Sequence, residues 1–195
     1  QITAPAGKTS MNVALSHVTA NAAGSDNSIT VLKYIAEGNA PEVSSFSSNN
    51  GVDDNMTFGI VEGSTYYIEV DTNSSFGSAS SGYTRYRYQL LASFGTEVYE
   101  LEQNNTILTA QSITAGTTYI GSDNGDADGQ DDYFKVTATS NTMTVSLSHV
   151  SALASGSDFD VIVYDSSENS IDSFSADDGV NNEISLWVTS GESYY

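Results

Sequence analysis

Apolar and polar residues alternate along many short stretches of this chain. Residues 143–150 (MTVSLSHV) alternate apolar and polar over their first six positions, the period of a strand with one face in a core and one in water. Residues 183–188 (EISLWV) alternate likewise. The apolar run 160–165 (DVIVYD) is followed by turn residues 166–169 and then by 170–174 (SIDSF). Residues 83–91 (YTRYRYQLL) read as one long strand, and 117–120 and 133–136 as two more. No segment carries a helical period. Strands at this spacing, separated by polar turns, predict an all-β chain of sandwich or jelly-roll type.

The pattern occurs twice. Residues 9–26 (TSMNVALSHVTANAAGSD) and 141–158 (NTMTVSLSHVSALASGSD) share eleven of eighteen positions without a gap, among them Met11/Met143, His17/His149 and Gly24/Gly156. Further on, 45–55 (SFSSNNGVDDN) matches 173–183 (SFSADDGVNNE), and GSTYY at 63–67 matches GESYY at 191–195. Four extra residues around 35–43 of the first copy fall where a hairpin tip is expected, a place that accepts insertions. These matches predict two antiparallel β-sandwich, jelly-roll-like units in tandem, residues 1–97 and 98–195. The first copy opens at Gln1-Ile-Thr-Ala, aligned with Lys135-Val-Thr-Ala, and so lacks the first strands. The second stops at Tyr194-Tyr195 and lacks the last strand. A sandwich without an edge strand exposes backbone and core, so the chain is expected to be a window on a longer parent.

Composition sharpens this. Tyr (12) and Phe (7) accompany many Thr, Val and Ile, which favours strands, and the 16 Gly with many Asn, Asp and Ser supply the turns in place of two Pro. Twenty-five acidic residues against five basic ones give a formal charge of −20. Such a surface repels nucleic acid and anionic membranes, and no apolar run is long enough to insert into a bilayer. The acids fit solvation, a supply of oxygen ligands for Ca²⁺, or both. There is no Cys, so disulfides and thiolate metal sites are excluded.

Several clusters bear on chemistry. Residues 123–132 (DNGDADGQDD) place Asn124, Asp126 and Asp128 at alternate positions before Gly129, like the opening of an EF-hand loop. Lys135 stands where the closing bidentate Glu belongs, so a β-loop cation site is expected in place of an EF-hand. Residues 49–55 (NNGVDDN), with Asp53 and Asp54, and 177–183 (DDGVNNE) read as Asx-rich turns or as a second ligand loop. Tyr86 and Tyr88, beside Arg85 and Arg87, read as binding anchors or as alternate residues of a final strand. His17 and His149 occupy one repeat position and are expected to be structural. No nucleophile elbow and no H-E-x-x-H motif occurs, no paired carboxylates sit in an apolar setting, and no catalytic residue is assigned.

From Tyr99 onward the order of short motifs resembles the bacterial pre-peptidase C-terminal domain, related to the collagen-binding domains of clostridial collagenases. The motifs are Glu100-Leu-Glu102-Gln-Asn104-Asn105, TTYIGS at 117–122, DDYFKV at 131–136, TVSL at 144–147, DVIVYD at 160–165 and GESYY at 191–195. The second copy covers most of that pattern and the first covers its latter half. The resemblance implies a small antiparallel sandwich attached to secreted proteases and large surface proteins. It also implies calcium held by an E-x-E-x-N-D linker and two aspartates before the aromatic strand. Glu100, Glu102, Asn104 and Asn105 match the linker, with Asn in the last place. Asp132 matches one aspartate; the other would fall on Gly129, so Asp128 or Asp131 must substitute.

The expected function is therefore a calcium-dependent, non-catalytic binding module of a secreted or surface-anchored bacterial adhesin, as in the peptide- or ligand-binding region of a large RTX-type adhesin. Its partner would be a polypeptide or carbohydrate on a host or neighbouring cell, and its place extracellular or on the bacterial surface. The competing expectation is an accessory substrate-docking or secretion module of a secreted protease. Calcium would be bound by Glu100, Glu102, Asn104, Asp126, Asp128, Asp131 and Asp132, and ligand by Asp53, Asp54, Tyr86 and Tyr88.

Overall fold

Alternation becomes strands wherever a neighbouring strand is present to take the hydrogen bonds. The computed structural model describes residues 1–17, 27–36, 38–48, 52–72, 88–121, 131–149, 159–177 and 179–195. Strands and turns are the only regular structure among them. The chain divides into two compact units, one of residues 1–103 with 119–130, the other of residues 104–118 with 131–195.

The first unit contains β1 (Ile2–Thr3), β2 (Ser10–His17), β3 (Asn27–Lys33), β4 (Glu42–Ser48), β5 (Asp54–Gly59), β6 (Thr65–Thr72) and β7 (Tyr88–Gly95). They form a four-stranded sheet in the order β1-β6-β3-β4 and a three-stranded sheet in the order β5-β2-β7, every pairing antiparallel. One core serves both sheets, as in a sandwich. Met11, Val13 and Leu15 of β2 and Ile29 of β3 are fully enclosed with Val31, Val43, Phe58 and Tyr66. Complete burial stabilises each such aliphatic side chain by about 1.5–3 kcal/mol. These are the apolar positions of the alternating pattern, and Asn12, Ala14, Ser28 and Thr30 between them are half-buried.

The second unit contains β8 (Gln111–Ser112), β9 (Phe134–Thr137), β10 (Thr142–Leu147), β11 (Phe159–Tyr164), β12 (Ser170–Ala176), β13 (Asn182–Trp187) and β14 (Ser193–Tyr194). Their sheets are β14-β9-β8, β11-β12 and β10-β13. Mutual backbone hydrogen bonds between Tyr164 and Tyr195 join β11 to the end of β14. One pairing is parallel, β8 with β9, so the unit is not antiparallel throughout. Its core holds Ala138, Val163, Leu186 and Tyr194, with Met143 and Val145 only partly buried against them.

The repeat in sequence is also a repeat in register. Met11 faces Phe58 where Met143 faces Leu186, and Leu15 faces Asp54 where Leu147 faces Asn182. Ile29 faces Phe46 where Val161 faces Phe174, and both hairpins shift register at the same place, Val31/Leu32 and Val163/Tyr164. Ile2 faces Tyr66 where Val136 faces Tyr194. Even a side-chain corner is copied: Val61 N–H donates to the Tyr66 hydroxyl and Thr189 N–H to the Tyr194 hydroxyl, each at 2.9 Å. The four extra residues of the first copy lie in the β3–β4 connection, where Gly38 takes a positive φ of 77° beside the Ala36–Asn39 bridge.

Two strand expectations need correction. Residues 117–120 form no strand: Gly116, at φ 83°, closes a turn with Thr117 N–H on the Thr114 carbonyl, and Ile120 makes an isolated bridge to Tyr99. An alternating tetrapeptide without a neighbouring ladder gains nothing from being extended. The strand expected over 83–91 is instead Tyr88–Gly95 where it is described, paired along its full length with β2; residues 83–87 lie outside the described residues.

Candidate metal centre

The segment after β7 is placed by backbone hydrogen bonds before any side chain acts. Ile120 N–H donates to the Val98 carbonyl and Glu100 N–H to the Ile120 carbonyl, both at 2.9 Å. Two glycines leave room for it. A Cβ on Gly59 would overlap the Glu100 carbonyl oxygen, and one on Gly121 would stand 3.2 Å from Glu100 Oε2. Further along, Asn104 is fully buried, and its carbonyl accepts from Tyr133 N–H at 2.9 Å. Residues 131–133 thereby lie beside the linker, with β9 following directly.

Glu100 is only 5% exposed. A carboxylate so enclosed must be compensated by donors, by a proton or by a cation. Glu100, Glu102 and Asp132 each bring one carboxylate oxygen to within 4.8 Å of the other two, the first buried, the second half-buried and the third exposed. Oxygens bound to one Ca²⁺ at about 2.3–2.6 Å can stand no more than about 5.2 Å apart. The three spacings fall inside that limit. An all-carboxylate set suits hard cations of the Mg, Ca and Mn class and disfavours soft, thiolate-seeking ions. A cluster of acidic residues able to coordinate a divalent cation is thus present.

The other expected ligands fall as follows. Asn104 lies in the same linker, its carbonyl on Tyr133. Asp131 is exposed and adjoins Asp132 but is not one of the three. Asp126 and Asp128 lie outside the described residues, as does Tyr86. Burial, with the Asp131 charge as a smaller cause, holds the Tyr133 hydroxyl above its ordinary value of 10.0.

Three of the expected ligand-binding residues, Asp53, Asp54 and Tyr88, lie at one end of the β5-β2-β7 sheet. Tyr88, 44% exposed, faces His17 across β2 and β7. Asp53 Oδ1 accepts from His17 N–H at 2.8 Å and lies 3.5 Å from His17 Nδ1, while Nε2 of that ring is 3.1 Å from Asn27 Nδ2. Asp54 is exposed and accepts from the Asn55 N–H. The second copy repeats the backbone part, with His149 N–H on Asn181 Oδ1 at 2.9 Å and Phe159 against the imidazole. Asp53 thus ties the β4–β5 turn to the end of β2, and Asn181 ties the β12–β13 turn to the residues just after β10.

Gly59, Gly121 and the two tyrosine corners were not singled out from sequence. Comparing the copies offers one signal, since Gly59 corresponds to Trp187, which is 84% exposed. The position that must be bare beneath residues 100–101 in the first copy carries a large, exposed side chain in the second. No protein-family model, no curated protein and no solved structure matches this chain.

Proposed function

We propose that this chain is a calcium-stabilised, non-catalytic binding module of a secreted or cell-surface bacterial protein, its two units being duplicated sandwiches of jelly-roll-like type. It recognises a polypeptide or carbohydrate on another surface. The carrying observation is the Glu100, Glu102 and Asp132 carboxylate set, with Glu100 buried. Glu100 and Glu102 match the calcium linker of the domain family that the sequence resembles, and Asp132 matches an aspartate before its aromatic strand. Calcium in that family, rather than any measure of ion size here, motivates Ca²⁺ over other hard cations.

Bound Ca²⁺ would neutralise these carboxylates. The cation stabilises the folded form by about 2.7 kcal/mol at a hundredfold excess over its dissociation constant. Calorimetry on chelator-stripped protein, titrated with Ca²⁺ to millimolar levels, is expected to show a rising melting midpoint. Asp132→Asn and Glu102→Gln are expected to remove the rise, and Mg²⁺ to reproduce it only weakly. An unchanged midpoint in the unsubstituted protein would sink the proposal.

A further inference from the structure

We infer that the outer face of the β5-β2-β7 sheet is a docking site for an uncharged carbohydrate, held by the side-chain amides of Asn12 and Asn55 with Tyr99 beside them. Asn12 Nδ2 donates to Asn55 Oδ1 at 3.0 Å, to Thr57 Oγ1 at 2.9 Å and to the Met56 carbonyl at 3.3 Å. The Thr57 side chain also hydrogen-bonds the Tyr99 hydroxyl. Because the two amides hold each other, Asn12 Oδ1 is left to accept and Asn55 Nδ2 to donate, both in fixed orientation. A sugar hydroxyl donates and accepts at once, and such a pair serves both needs. Polar groups already locked in place lose little freedom when a ligand arrives.

The fold does not call for these amides. The second unit carries Thr144 and Glu183 at the matching places, and there a Thr144–Ser185 hydroxyl contact of 2.8 Å spans the same ladder. Charge selects the ligand. Residues 12–16, 55–57 and 89–93, which make this face, contain no ionisable side chain in a chain of formal charge −20. Carboxylates enter only at its margins, Asp54 next to Asn55 and Glu97 within 3.5 Å of the Tyr99 hydroxyl. The β1-β6-β3-β4 sheet, by contrast, carries exposed Glu42, Glu69 and Asp71, where a basic partner would be drawn. A sheet face whose main chain is already paired offers a peptide no strand to join. Leu91, 63% exposed opposite Ala14, and the half-buried Tyr99 ring add apolar surface for the C–H side of a sugar. The inference refines the proposed binding role by choosing carbohydrate over polypeptide; it rests on that role and not on calcium.

The test applies the labelled full chain to immobilised neutral polysaccharides (α-glucan, β-glucan, mannan and galactan) beside alginate and a lysine-rich peptide. Saturable binding to at least one neutral polysaccharide is expected. Asn12→Thr combined with Asn55→Glu copies the second unit's residues into the first, so the ladder should persist and the melting midpoint change little. That variant is expected to weaken binding by at least about tenfold. Leu91→Ser, at an exposed position outside the amide network, should weaken it a few-fold with no loss of fold. Binding to none of the neutral polysaccharides overturns the inference, as does binding undiminished in both variants. Stronger capture by alginate or by the basic peptide also overturns it. Each measurement is made in chelator and in Ca²⁺, beside the melting midpoint. A calcium shift without carbohydrate binding refutes this inference alone, and carbohydrate binding without a calcium shift refutes the cation site alone.

Discussion

Tyr66 shows how much one side chain does in this fold. It is 1% exposed, its ring lies in the core, and its hydroxyl accepts from Val61 N–H. Tyr66→Phe strands that amide and is expected to cost about 1–2 kcal/mol in urea unfolding, with a similar loss for Tyr194→Phe in the second unit. Burial raises the Tyr66 hydroxyl above 10.0, outweighing the backbone hydrogen bond from Val61, which lowers it. The folded chain thus keeps a proton that the unfolded chain has lost. Stability from this group is complete below pH 10 and falls as pH rises through the raised folded value, so Tyr66→Phe should flatten the alkaline limb. Gly59 is the other telling residue. Gly59→Ala forces a methyl against the Glu100 carbonyl, and is expected to destabilise by about 1–3 kcal/mol and to shrink the calcium-dependent melting shift.

Among the elements, β2 and β10 form a controlled comparison. Their sequences, SMNVALSH and TMTVSL, are alike, and each faces its hairpin partner in the same register. Only β2 is flanked on both sides among the described residues. Native-state amide exchange should therefore show β2 protected along its length, while roughly every second amide of β10 exchanges faster. Equal protection of the two strands would mean that pairing, not sequence, has been misjudged. The β3–β4 and β11–β12 hairpins make the complementary point: a length difference in the connection leaves the ladders in register, because pairing on both sides of the insertion holds each strand.

At the scale of the molecule, charge dominates. A formal charge of −20 works against compactness through self-repulsion, which salt screens over a distance of about 10 Å at 0.1 M. In chelator, raising NaCl from low to about 0.5 M is expected to increase the melting midpoint; a gain of about 1 kcal/mol corresponds to about 2–4 °C for a chain of this size. A midpoint indifferent to salt would show the acids to be too dispersed to matter.

Much of this was legible in order along the chain. Alternation located the strands, because a period of two is a local property of side chains on a pleated backbone. The duplicated segments foretold matching ladders, because like patterns bury like faces. The acidic linker named Glu100 and Glu102, and the residues before the aromatic strand named Asp132. Distance was not legible. The burial of Glu100, the bare surface of Gly59 beneath it and the gathering of three carboxylates depend on segments remote in sequence meeting in space. The same holds for the strand that failed at 117–120. A strand is made by its neighbours, and neighbours are chosen by the tertiary fold.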